Sequence, residues 1–363
     1  MIAHLVFSVT VSALIPGSSV AAPVPVPALV EQPGSGVEAV LSALDKYPIV
    51  LMGEVHWNSQ QHRFIQKLLR DPRLPAKIDV IAIEAGNSLY QPVIDRYVNG
   101  EDVPRDSLQL AWRNATVPLA WDRPIYSDMY DAARAINAKL PAPKHVRLLA
   151  LDPPIEWKDV SKLEDFPRLW GYRDPVWFET LDREVLTKNR KVLVIAGGLH
   201  ILRRDPPDFQ PKGSDRFGLG DALAQRYPSR VFRIYPATGT GKLARAMAGR
   251  KPGSLVRVAG TVFGRQSSQI LWPSSVTMFR KVNGKTVPYT LEKKDYPALA
   301  TLVDAILYYG SDTTTAPLPV EQYRDCAYIT ELRRRNALMI QVFGMDQAEL
   351  ITSLARLAKA DCE

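Results

Sequence analysis

The chain has 363 residues, 46% of them hydrophobic and 23% charged, which is an ordinary globular composition with length enough for one large core. The 46 Lys and Arg against 38 Asp and Glu leave a net charge of +8. These basic residues are scattered rather than gathered into a stripe, and no nucleic-acid motif is present, so a nucleic acid is excluded as the expected partner. Arg333, Arg334 and Arg335 share a helix with Glu331 and read as a solvated basic face.

In chain order, residues 1–22 read as a cleavable export signal: a short apolar run, Leu5 to Ile15, then Pro16 and Gly17, with Val20-Ala21-Ala22 before the cut. Residues 23–36, with Pro23, Pro25, Pro27 and Pro33, read as an extended linker. Apolar runs at Ile49–Met52, Val80–Ile83, Val146–Leu151, Val192–Ala196 and Val231–Tyr235 suit strands covered on both faces. Helical patterns fall at Ser59–Arg70, Leu89–Val98, Ser127–Lys139, Pro175–Lys188 and Leu219–Arg226. Alternating strands and helices predict an α/β fold with an open, mainly parallel sheet flanked by helices. Gly100–Pro124, with Trp112 and Trp121, reads as a helical insertion over one end of that sheet.

One α/β domain is expected over 37–320. Val282-Asn283-Gly284-Lys285 suits a hairpin turn. Over 321–363 a C-terminal helical hairpin is expected to pack on the same domain, from Ala327 to Phe343 and from Asp346 to Ala360. Gly344 suits the end of its first helix, and Asp346 with Glu349 a capping box for the second. Cys326 and Cys362 mark the outer ends, so an antiparallel hairpin brings them together and an oxidising compartment would join them. Export to the periplasm or medium follows as an expectation, with no transmembrane segment in the mature chain.

Polar residues that can do chemistry repeatedly follow a strand. Gly53-Glu54-Val55-His56 follows the first, with Asn58 capping the next helix and Gln61 at its third position. Glu84 follows the second, Asp152-Pro153-Pro154 the third, and Gly197-Gly198-Leu199-His200 the fourth. In a parallel sheet these ends share one edge, where open α/β proteins bind ligands. Five histidines are present: His4 lies in the signal, His145 stands at the opposite edge, His62 flanks the crevice, and His56 and His200 are the candidates for chemistry. Glu84 has a structural alternative as a partner of Arg96, and Asp152 as a turn residue.

Two imidazoles and two carboxylates support two mechanisms. Glu54, His56, Glu84 and His200 could hold a divalent ion whose bound water attacks an ester or amide. Without metal, His56 oriented by Glu54 could take a proton from water, and His200 could donate to the leaving group. Gly-x-Ser-x-Gly is absent from the chain, which argues against a serine hydrolase.

Gly53-Glu54-Val55-His56, Asn58, His62 and Gln66 resemble the opening motif of the ChaN-like haem-binding proteins, which share a superfamily with the TIKI/TraB proteins and the erythromycin esterases. Ile83-Glu84, Trp121 with Tyr126, and Gly197–His200 followed by Arg203-Arg204-Asp205 resemble its later motifs. The resemblance spans roughly 49–205. It implies a parallel α/β fold and a polar site that binds haem in some members and hydrolyses peptide or lactone bonds in others, with metal in the TIKI branch and a His-activated water in the esterases. Trp57 and a single His62 depart from the ChaN-like pattern. The leading expectation is a hydrolase-like protein acting on a small-molecule, peptide or ester substrate through His56, Glu54, Glu84 and His200. The alternative is a haem or iron protein of the envelope, with His62, Asp152, Tyr90 and Trp121, and also Trp112, about the cofactor. A third reading is an inactive interaction module that keeps the crevice for structural reasons.

Overall fold

The computed structural model describes residues 35–162, 165, 173–203, 218–271, 278–282, 285–289, 296–343, 346–360 and 362. The expected signal, nearly all of the linker, Arg204-Asp205, Gly344 and the Asn283-Gly284 turn lie outside them.

The five expected strands all form: β1 (Ile49–Glu54), β2 (Val80–Asn87), β3 (Arg147–Asp152), β4 (Val192–Gly197) and β5 (Val231–Ala237). Short β6 (Leu255–Arg257) lies at the edge, and the pair β7 (Met278–Val282) and β8 (Lys285–Tyr289) forms a separate two-stranded ladder. With β9 (Ala305–Tyr308) the main sheet runs β3-β2-β4-β1-β5-β9-β6. Every pairing in it is parallel except β9 with β6.

Alternation along these strands divides the core. Val50 and Met52, Ile81 and Ile83, and Leu193 and Ile195 face one layer. That layer holds α1 (Gly36–Lys46), α2 (Ser59–Leu69), α3 (Gln91–Val98), α4 (Arg105–Arg113) and α5 (Pro124–Asn137). Ile49 and Leu51, Val80 and Ala82, and Val192 and Val194 face the other, against α6 (Arg173–Leu181) and α7 (Leu219–Arg226). The period of two places Glu54 on the α2–α5 face and Glu84 on the α6 face.

Helix α1 was not expected: it begins at Gly36, where the linker reading ended, because Ser35 accepts the Glu38 N–H and Val37, Val40, Leu41 and Leu44 bury one stripe. The insertion over Gly100–Pro124 contains α4 and irregular chain. It binds the sheet edge through Thr116, whose N–H and hydroxyl both donate to Asp152 Oδ2 at 2.7 Å. Short helices α8 (Lys242–Ala246) and α9 (Leu299–Leu302) complete this part.

The described residues divide between two compact units, one formed by those of 35–278 with 289–319, the other by those of 279–288 with 320–362. The second contains α10 (Cys326–Phe343) and α11 (Ala348–Leu357), and the Cys326–Cys362 disulfide joins their outer ends with Cα atoms 5.2 Å apart. Asp346 does not form the expected box; its Oδ1 accepts the Ala348 N–H at 2.9 Å and the Asn336 amide at 3.0 Å. The basic run is not a uniformly solvated face either. Arg335 is buried, its Nε donating to Glu331 Oε1 at 2.7 Å, because Glu331 lies one turn before it and offsets its charge. Among the described residues no helix is long and apolar enough to cross a membrane.

Candidate active site at the carboxyl edge of the sheet

Glu54 ends β1 with its carboxylate buried on the α2–α5 face. Oε1 accepts from His62 Nε2 and from the Tyr126 hydroxyl, both at 2.7 Å, and Oε2 lies 2.9 Å from His56 Nδ1. Burial opposes charge on Glu54, but the His56 ring and then His62 outweigh it and hold the carboxyl below its ordinary range. The same carboxylate, after burial, keeps the Tyr126 phenol well above its ordinary value, so Tyr126 acts as a donor.

His56 stands on this support. Its side chain is 38% exposed, its ring meets the edge of Trp121 at 4.9 Å, and Nε2 lies 4.0 Å from Glu84 Oε1. Desolvation works against charge on the ring, yet Glu54 and then Glu84 overcome it and push its pKa up to about 9. The turn after it is held open: Trp57 has φ +68°, its N–H donates to the Tyr126 oxygen, its indole N–H donates to Ala120 O, and Arg123 stacks 4.3 Å from its ring. Asn58 caps α2 through the Gln61 N–H as expected, and the Gln61 amide returns to Gly53 O and Val55 N.

Glu84 lies on the other face. Its strand continues past Ile83 to Asn87, further than the apolar run indicated, with a register irregularity against β3 between Ile83 and Asn87. Oε2 accepts the Gly197 N–H at 2.6 Å and Oε1 accepts from Arg173 at 2.9 Å. The pairing with Arg96 does not occur; Arg96 bonds Glu101 instead. Arg173 also donates to Asp152 Oδ1 at 2.8 Å. Burial raises the Asp152 carboxyl despite that guanidinium, and the residue is fully enclosed.

His200 follows β4, half-buried, with Nε2 3.8 Å from Glu84 Oε1 and Nδ1 held by Asp174 at 2.9 and 2.8 Å. Thus His56, His200 and Glu84 converge, with Glu54 behind His56. Sequence reading missed Arg173 and Asp174. They open α6, directly after residues 166–172, and carry no strand-end signal; the one available hint was Arg-Asp-Pro before an amphipathic pattern, a helix start. Of the residues considered for a cofactor, His62 and Trp121 are buried beside Glu54 and His56, and Asp152 is enclosed by Thr116 and Arg173. The Tyr90 hydroxyl accepts from Asn114, Trp112 is buried against Tyr130, and His145 bonds Asn99 and Leu140 O.

Ligand atoms of Glu54, His56 and Glu84 lie within 4.8 Å of one another, the spacing of a cation site. The donors are already committed, however: both Glu54 oxygens hold protons from His62, Tyr126 and His56, and the Glu84 oxygens hold Arg173 and Gly197 N–H. A buried guanidinium 2.9 Å from Glu84 already supplies the positive charge and opposes a second cation. One imidazole nitrogen and two carboxylates remain a donor set of the kind that holds a divalent ion, with the guanidinium weakening that affinity.

Three solved structures are similar in fold. A succinoglycan biosynthesis protein is 12% identical, covering 77% of this chain and 92% of its own, with TM-score 0.49. A mutant erythromycin esterase in its open conformation is 12% identical, covering 77% and 94%, with TM-score 0.47. ChaN of Campylobacter jejuni, described as binding haem cofacially, is 14% identical, covering 56% and 86%, with TM-score 0.35. No curated protein matches the chain. Residues 40–159, which carry Glu54, His56, His62, Glu84 and the Trp121–Tyr126 pair, match the family described as haem-binding uptake, Tiki superfamily, ChaN.

Proposed function

We propose that the protein is a hydrolase that cleaves an ester or amide bond with water activated by His56. The observation that carries this reading is the His56 ring itself. Nδ1 is fixed by Glu54 at 2.9 Å, and the exposed ring leaves Nε2 without a hydrogen-bond partner in reach among the described residues, 4.0 Å from Glu84 Oε1. A carboxylate-held imidazole with a free nitrogen is the arrangement of a general base. His56 Nε2 would take a proton from water while the water oxygen attacks the carbonyl carbon, and His200 Nε2 would return a proton to the leaving group. Glu84, held by Arg173, would balance the positive charge between the rings. Val55, Trp57 and Leu199 expose apolar side chains next to these histidines, which supports a substrate with an apolar flank. The Cys326–Cys362 bridge supports export to an oxidising compartment.

The test is acid release in a pH-stat from a panel of alkyl esters and lactones, together with amine release from a panel of amides read with an amine-reactive dye. Turnover of at least one class, lost in His56→Ala, is expected. No turnover of any class, or full activity in His56→Ala, would exclude the reading.

A further inference from the structure

The first turn of α6 adds a carboxylate that the hydrolase reading does not use. Both oxygens of Asp174 lie within hydrogen-bond distance of His200 Nδ1, and Oδ1 also accepts the Leu219 N–H at 2.8 Å. The His200 backbone is fixed independently, its N–H donating to Gly197 O at 2.9 Å and its carbonyl accepting from Gly220 N at 2.8 Å. Trp177, one turn after Arg173, lies against the ring with centroids 4.6 Å apart. Asp174 therefore governs the ring's tautomer and direction rather than the chain's path.

We propose that Asp174 is the positioning residue of His200 and makes it the general acid, a counterpart of Glu54 at His56; this rests on the hydrolase reading above. A carboxylate at Nδ1 keeps the proton there and sustains the imidazolium, leaving the Nε2 proton to be given away. When the tetrahedral intermediate collapses, the bond from carbon to the leaving oxygen breaks, its electron pair goes to that oxygen, and the oxygen takes the His200 Nε2 proton. The proton that His56 received from water goes to solvent and His200 Nε2 takes one back from solvent, so each turnover adds one water and leaves both rings as they began.

The experiment compares Asp174→Asn with the full-length wild type on two esters of one acyl group, an alkyl ester and a nitrophenyl ester. The nitrophenolate leaves without a proton, so only the alkyl ester needs the acid. Asn retains an acceptor for the Leu219 N–H but cannot sustain the imidazolium. The expected result is a fall in kcat on the alkyl ester of roughly 100-fold, the scale of general acid catalysis, with little change in KM and little loss on the nitrophenyl ester. A low-field, slowly exchanging Nδ1 proton in the wild-type NMR spectrum should vanish in the variant. Equal losses on both esters, or no loss on either, would overturn the proposal. Should the wild type turn over neither ester, the hydrolase reading and the general-acid role fall together, and the Nδ1 proton then decides only the positioning of His200: loss in Asp174→Asn upholds it and persistence overturns it.

Discussion

Glu84 accepts the backbone N–H of Gly197 at 2.6 Å, at the point where the ladder between β2 and β4 stops. Their paired register ends at Ile83 with Ile195, and the carboxylate takes the next N–H in place of a strand. This bond ties the acid of one strand to the glycine that leads into His200.

Gly197 is consequently the position where a small change should damage chemistry more than stability. A Cβ there would lie 3.1 Å from His56 Cε1, 3.2 Å from its Nε2 and 3.3 Å from Glu84 Oε2. The His56 ring is exposed enough to yield. We expect Gly197→Ala to lower kcat/KM by about 10-fold or more while costing about 1 kcal/mol or less. Steady-state kinetics beside thermal unfolding check this.

Glu54 holds three donors, so Glu54→Gln should do two things. One buried donor among His62, Tyr126 and His56 loses its acceptor, destabilising the fold by on the order of 2 kcal/mol. The pKa of His56 should fall, since burial that opposes its charge would no longer be outweighed by this carboxylate. Denaturant unfolding and a ring titration by NMR measure the two effects.

The same shifts set a pH window for stability. His56 is raised in the folded state, so its contribution is full below its ordinary value of 6.5 and is lost as pH rises through about 9. Glu54 is depressed, so its contribution is present above its ordinary 4.5 and disappears only in strong acid. Stability measured against pH should decline on the alkaline side between these two His56 values, and His56→Ala should flatten that decline.

Cys326 and Cys362 close a loop with a sequence separation of 36, worth about 4 kcal/mol in the chain-entropy model. Reductant, or Cys326→Ser, should therefore lower the unfolding transition of the α10–α11 hairpin, as followed by limited proteolysis.

Chelation discriminates the acid–base mechanism from a metal one. Because the donors of Glu54 and Glu84 are engaged and Arg173 is their cation, dialysis against EDTA should leave turnover unchanged, and elemental analysis should find no stoichiometric divalent metal.

The main features of the fold and the placing of the four principal residues were legible in the sequence for one reason. Runs such as Val192–Ala196 announce buried parallel strands, and the topology of such strands puts Glu54, His56, Glu84 and His200 at one edge. The α1 helix was hidden behind a proline-rich segment. β6 and β9 are too short, at three and four residues, for periodicity to reveal. Asp174 and Arg173 reach the site from a helix start, where nothing in local spacing indicates which strand end they face. The partner of Glu84 was hidden for the same reason, since Arg96, the alternative offered, is near in sequence and Arg173 is near in space.

The most direct test of the account is the pH dependence of kcat/KM on an activated ester, for which His200 is not needed. A single rising limb with its midpoint at about 9 is predicted, the pH at which His56 becomes free to accept a proton, and that limb should be absent in His56→Ala. A rate that falls as pH rises, or one that keeps the same limb without His56, would contradict the account.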